Sequence, residues 1–237
     1  MTIKEKALGP EHPDLALSLY NLALVHEARG EYAEARPLYE RTLVIFEATL
    51  GPEHPHVAAV LASLADVHRA TGAYAEAKVL HERALAIREK VLGSEHPLVA
   101  NSLNGLASTY LATGAYAEAK TLYERALAIR EKALGPEHAN VAAVLGGLGD
   151  VALAQDMPAA ALPYFERALT IYDVHEGVQE RELAVRFNLA RALVRAGGDR
   201  TRALAEARKA ADGYREAGAG KAKELAEVEA FLADHGS

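Results

Sequence analysis

The 237-residue chain has no cysteine and no tryptophan, and it has only four phenylalanines and two methionines. Without thiols there is no disulfide framework, no thiolate metal site and no cysteine nucleophile, and the cytoplasm is the expected compartment. No apolar run approaches the roughly 18 residues of a membrane span, and the opening MTIKEKALG lacks the apolar core of a secretion signal. Charge of one sign is not gathered either. The 26 Lys and Arg and 33 Asp and Glu give a formal charge of -7, and they alternate at helical spacing, which argues against nucleic-acid or membrane partners. What is abundant is Ala, Leu, Glu, Arg and Lys, with half the residues apolar. That mixture favours helices approaching closely through small side chains, so an all-α fold is expected.

The order of these residues is periodic. LGPEHP at 8–13 returns at 50–55, as LGSEHP at 92–97 and as LGPEHA at 134–139, always at the same interval. TGAYAEAK occurs at 71–78 and 113–120, and ERALAIREK at 82–90 and 124–132. Self-similarity at such a period marks stacked units without a single central core. The expected division is the end of a truncated helix over 1–7, four units over 8–175, a degenerate fifth helix pair over 176–217 and a closing helix over 218–237.

Within one unit, Val57, Val60, Leu61, Leu64 and Val67 recur at helical spacing until Thr71-Gly72, which defines helix A. Tyr74, Ala77, Leu80, His81, Ala84, Leu85 and Ile87 then form a broad apolar face, with Glu76, Lys78, Glu82, Arg83 and Glu89 outward, which defines helix B. In the joint to the next unit Gly93 supplies a left-handed capping residue, Pro97 suits a first helical turn, and His96 falls near the N-cap.

The recurring Glu-His pair invites a metal or catalytic reading. Equivalent joints of stacked helix pairs lie about 10 Å apart, too far for one metal to bridge, so His12, His54, His96 and His138 are assigned to the joint. His26, His81 and His175 each precede a glutamate, but the fourth residue onward is Gly30, Leu85 or Gln179, so no zincin motif exists. His26, His68 and His81 align with aromatics of other units and are expected to fill the core. GAGKA at 218–222 has Arg215 and Ala222 where a phosphate loop needs Gly and Ser or Thr, and reads as a linker. No catalytic residue, metal or cofactor is expected.

Leu61, Leu64, Ala65, Gly72, Tyr74, Ala77, Ala84 and Leu85, repeated as Leu103, Leu106, Ala107, Gly114, Tyr116, Ala119, Ala126 and Leu127, resemble the tetratricopeptide repeat in its longer form, that of kinesin light chains. The resemblance implies a right-handed α-solenoid of antiparallel helix pairs, a superhelix whose A helices line a concave groove, and a non-enzymatic scaffold. The fourth unit departs from the pattern. Pro158 replaces the turn tyrosine as the first residue of its helix B, and Gly146, Gly147 and Gly149 weaken its helix A. The fifth pair carries Asp199 as an N-cap and a helix A one residue out of step. The closing helix sets Leu225, Val228 and Leu232 on one side, as a solenoid cap does. From about Leu183 the chain also resembles the repeat-bearing tails of bacterial serine/threonine protein kinases, with no kinase motif present.

Carried over position by position, the groove face is Leu17, Tyr20, Leu24 and Glu27, then Ala59, Ala62, Asp66 and Arg69, then Asn101, Asn104, Ser108 and Leu111, then Ala143, Gly146, Asp150 and Leu153. Asn104 matches an asparagine with which kinesin-type repeats hold a peptide backbone. The surface implies a protein or peptide partner with apolar anchors and a basic residue. The competing expectation is a self-assembling module. Residues 2–12 align with 128–138, so the chain is expected to open in the last turns of a helix B and to leave Leu15 and Leu22 of the first helix A partly bare. A fragment of a longer array is favoured over a weak homodimer through that face.

Overall fold

A computed structural model describes residue 9 and residues 12–174 and 180–236. Among these are eleven α-helices and no strand: α1 Pro13–Ala28, α2 Tyr32–Leu50, α3 Pro55–Ala70, α4 Tyr74–Leu92, α5 Pro97–Ala112, α6 Tyr116–Leu134, α7 Ala139–Ala154, α8 Pro158–Asp173, α9 Glu180–Arg195, α10 Arg200–Ala217 and α11 Ala222–His235. The A helices α1, α3, α5 and α7 start at equal intervals along the chain, and the B helices α2, α4, α6 and α8 keep the same interval. The fold is an all-α solenoid of helix pairs. Residues 1–8, on which the expected truncated helix falls, lie outside the described residues.

The local chemistry explains the boundaries. Pro55 and Pro97 open their helices, where a missing N–H costs nothing. Between A and B, Gly72 takes φ +83°, a left-handed conformation that glycine adopts without strain. Between units the geometry differs from the expected left-handed cap. Gly93 has φ 84° and ψ 154°, so ψ is extended and the chain leaves α4 straight into a turn closed by His96 N–H donating to Gly93 O at 3.2 Å. Tyr74, placed by its spacing on the apolar face, is 36% exposed, because as the first residue of α4 it has no preceding turn beside it.

Contacts divide the chain into two compact units between Ala115 and Tyr116. The first holds α1 to α5, with Leu15, Leu19, Tyr39, Phe46, Leu61, Leu64 and Val67 in its core. Leu15 therefore corrects an expectation: it lies on the inner stripe with Ala16 and Leu19 and is 1% exposed, whereas Leu22 is 44% exposed. The second unit holds α6 to α11 around Leu145, Phe165, Leu169, Leu189, Leu193 and Tyr214.

A ring on each B helix meets a small residue on an A helix. In the first unit a Cβ added at Gly105 would lie 2.5 Å from the His81 ring, and in the second a Cβ at Gly147 would lie 2.5 Å from the Tyr123 ring. Gly149 makes the same room for Phe165. The three glycines do not break α7, which runs unbroken as an α-helix over its full span. Each costs about 1 kcal/mol of helix propensity against alanine, and at Gly147 and Gly149 the close approach of a buried ring offsets that cost.

The last two helix pairings use other means. Asp199 caps α10 by accepting from Arg202 N–H at 3.0 Å. Arg186 on α9 donates to Asp173 at 2.7 Å, Glu182 at 2.8 Å and Glu206 at 2.7 Å, and Lys209 reaches Glu206 at 2.8 Å. GAGKA forms a single 3-10 turn over Ala219–Lys221. α11 then packs on α10, burying Val228 completely and Leu225, Phe231 and Leu232 in part.

Candidate functional site

The joints resolve the histidine question. Nδ1 of His12, His54, His96 and His138 accepts the backbone N–H of Asp14, His56, Leu98 and Asn140 respectively, at 3.1 Å in every case. Each ring thereby satisfies one of the N–H groups that a helix start leaves without an intrahelical partner. Arginines hold the joints from the side. Arg88 donates to Ser102 Oγ at 2.6 Å and Leu98 O at 3.3 Å, and Arg130 to Asn140 O at 2.6 Å. Both are buried, and burial pushes Arg130 down to about 10. Among the described residues no group of three His, Asp or Glu side chains could hold a metal, and no helix is long and apolar enough to cross a membrane.

Of the three histidines expected in the core, only His81 is fully buried. His26 is partly exposed and pairs with Glu31 Oε2 at 2.6 Å, across the turn into α2. His68 is also partly exposed. Both sit in the last turn of their A helices, where fewer neighbours cover a side chain.

On the first unit, α1 presents Leu17, 50% exposed, and Leu24, 39% exposed. Between them Tyr20 is partly buried, its ring centroid 5.6 Å from that of Tyr39 and its hydroxyl 3.3 Å from Ser63 Oγ. Tyr39 donates its own hydroxyl to Glu27 at 2.5 Å. Burial raises the Glu27 carboxyl above its ordinary value, partly countered by that hydrogen bond. On α3, Asp66 Oδ1 lies 3.3 Å from Arg69 Nη2 and 3.8 Å from His81 Nε2. Burial pushes His81 down to about 4, against the attraction of Asp66. Asn104 on α5 has a buried Oδ1 without a hydrogen-bond partner, and so has Arg69 Nε. Ser108 Oγ turns back to Asn104 O at 3.0 Å, Asn101 is exposed and Leu111 partly buried.

On the second unit the expected set changes. Gly146 and Leu153 are buried and drop out of any exposed face: a Cβ at Gly146 would already lie 3.0 Å from Val185, and Leu153 joins the core under α8 and α9. Asp150 remains, accepting from Asn188 Nδ2 at 2.7 Å, and Arg191 Nη1 reaches Asn188 Oδ1 at 3.2 Å. Burial pushes the Asp150 carboxyl up to about 7. Arg191 also lies over the Phe187 ring at 5.8 Å. Phe187, Asn188 and Arg191 were not among the expected residues. The one-residue slip of the fifth helix A, applied to the groove register, is the signal that would have reached Phe187 and Arg191.

The family model described as Tetratricopeptide repeat matches four overlapping stretches, residues 1–47, 14–90, 64–132 and 98–174. No curated protein matches the chain. Among solved structures, a Podosopora anserina protein assigned to the kinesin light chains, with nearly identical TPR-like repeats, is similar at 32% identity and TM-score 0.68, over 84% of this chain and 94% of that one. BtubC (BKLC) from P. vanneervenii is similar at 26% identity and TM-score 0.70, over 84% of this chain and 79% of its own. NprR, solved with its cognate peptide NprX, has TM-score 0.76 over 97% of this chain and 64% of that one, at 15% identity, a likeness of fold alone. With the evenly spaced helix pairs and their ring-on-glycine packing, these matches show that the chain belongs to the tetratricopeptide-repeat family, in the form seen in kinesin light chain-like proteins.

Proposed function

We propose that the A-helix face of the first unit binds a segment of another protein, and that the chain is a non-enzymatic cytoplasmic scaffold, in the manner of a binding region of a larger bacterial signalling protein. The observation that carries this reading is the company kept by two exposed leucines. Leu17 and Leu24 share a face with buried polar atoms on α3 and α5, Arg69 Nε and Asn104 Oδ1, that have no partner within the chain. Unsatisfied buried polar groups cost free energy, and a bound segment would supply what they lack while its apolar side chains cover the leucines. Glu27 and Asp66 favour a basic residue in the segment. That NprR was solved with a peptide adds the example of a similar fold holding one.

The test is a pull-down with cross-linking, read by mass spectrometry, using the wild type beside Leu17→Asp with Leu24→Asp. Both side chains are exposed, so the melt should hardly change while the captured partner disappears. Capture at undiminished yield by the double variant would overturn the reading.

A second reading, end-to-end self-assembly, is favoured by one comparison. Leu22 and Val25 are 44% and 46% exposed, whereas Leu64 and Val67 at the same positions of the next unit are 4% and 0% exposed. Sedimentation at rising concentration, with Leu22→Glu as the disrupting variant, tests it.

A further inference from the structure

Two successive junctions of the first unit are built from the same four positions. Between α1 and α2 and the helix that follows, these are Tyr20, Glu27, Tyr39 and Ser63, with Ser63 hydrogen-bonded to both tyrosine hydroxyls and Tyr39 donating to the Glu27 carboxylate. One repeat on, they are Ala62, Arg69, His81 and Gly105. A phenol has become a methyl group, a second phenol an imidazole, and a serine hydroxyl has gone. Side-chain atoms are lost at three of the four positions, and with them every hydroxyl.

What remains is polar and unsatisfied. His81 is 1% exposed, and neither ring nitrogen has a hydrogen-bond partner. Arg69 Nε is in the same condition, as is Oδ1 of Asn104, the residue before Gly105. Asp66 lies between His81 and solvent, 3.8 Å from Nε2 with its own side chain 40% exposed. Burial holds the imidazole neutral, so one of its nitrogens donates and the other accepts. The inventory is two donors, Arg69 Nε and one imidazole nitrogen, and two acceptors, Asn104 Oδ1 and the other nitrogen. A carboxylate would meet Asp66 and Asn104 Oδ1, and an ammonium would meet Arg69. A group that both donates and accepts fits without charge conflict.

We propose that this junction, opened when the half-exposed Asp66 side chain turns aside, is a subsite for a hydroxyl of the bound segment, a Ser, Thr or Tyr side chain whose oxygen does for Arg69, His81 and Asn104 what the Tyr39 hydroxyl does for Glu27. The subsite rests on the groove reading above and specifies one residue of its ligand. Specificity follows because an analogue without the hydroxyl leaves the same buried atoms unpaired.

The probe is a display library of random peptides, selected on the wild type, His81→Tyr, Arg69→Leu and the Leu17→Asp, Leu24→Asp double variant. Tyrosine is already seated on a glycine at Tyr123 and Gly147, and leucine already stands at the Arg69 position as Leu111 and Leu153, so both single variants keep side chains that the fold accepts. Peptides from the wild type are expected to share a fixed Ser, Thr or Tyr. Which of the three is fixed distinguishes an aliphatic hydroxyl from a phenol. Replacing it by Ala, Val or Phe should weaken binding by about tenfold or more, and neither single variant should select it. Wild-type binders that the double variant loses but that carry no fixed hydroxyl would overturn the subsite and leave the groove standing, with a buried water then satisfying the cluster. The same consensus on His81→Tyr would also overturn the subsite, and no binder on any chain would remove subsite and groove together.

Discussion

The four regular helix pairs and the fifth are held by different forces. In the regular pairs a ring on helix B seats against glycine or serine on helix A, and the step from one A helix to the next never varies. Helix α9 begins at Glu180, one position earlier than that step would place it. Its pairing with α10 is tied by Arg186, 12% exposed, between Glu182 and Glu206, each 11% exposed. Close-packed rings tolerate no change of register, because a single-residue slip turns a helix by about 100° and removes the socket from under the ring. A guanidinium on a long side chain reaches its carboxylates from a shifted backbone. Shape enforces the repeat, and charge accommodates the exception.

Breaking the exception should have the largest effect. Arg186→Leu removes the shared cation, leaving the nearly buried Glu182 without a partner and Glu206 with Lys209 alone, so a loss of about 3 kcal/mol is expected in urea unfolding. An unchanged midpoint would mean that apolar contacts alone hold the fifth pair. Gly147→Ala attacks a regular junction. With its methyl 2.5 Å from the Tyr123 ring, the expected cost is about 1 to 3 kcal/mol, although alanine favours the helix, and a gain in stability would refute the socket. His96→Ala, which deletes one joint cap, should cost about 1 kcal/mol, and hydrogen exchange should rise first at the Leu98 amide.

A last test reads a slope instead of a single loss, the pH dependence set by Asp150. Its carboxyl is raised from 3.8 to about 7, so the unfolded chain releases the proton first. The stability this group contributes is complete below pH 3.8 and is lost as pH rises through 7. Asp150→Asn should therefore melt higher than the wild type above pH 7 and show a flatter slope between those limits, and a wild type that gains stability over that interval would show the sign to be wrong.

The sequence was legible wherever a feature repeats. Gly-x-Glu-His-Pro gave the joints, the capping role of its histidine and the start of each A helix, because capping is decided by residues two or three apart. The glycines of α7 were misread for the complementary reason. Propensity is a local quantity and counted Gly147 and Gly149 as weakness, while the rings that need them stand at Tyr123 and Phe165, on other helices. Arg88 and Arg130 were silent in the same way, since nothing near them in the chain announces that their targets lie beyond the joint, on the next A helix. Of the expected groove, Tyr20, Glu27, Asp66, Arg69 and Asn104 acquired defined surroundings in the structure. Leu153 was lost, because alignment carries over a position but not the helix that covers it.

The histidine caps also make the protein its own reporter. An Nδ1 that accepts an amide proton must carry its hydrogen on Nε2, so four imidazoles spread along the chain are locked in one tautomer by the same bond. In nitrogen-15 spectra at neutral pH they should form a distinct family of signals, separate from the exchanging average of a free imidazole. Each joint then has its own label, already in place, and the order in which those signals collapse on warming would record where the array comes apart first.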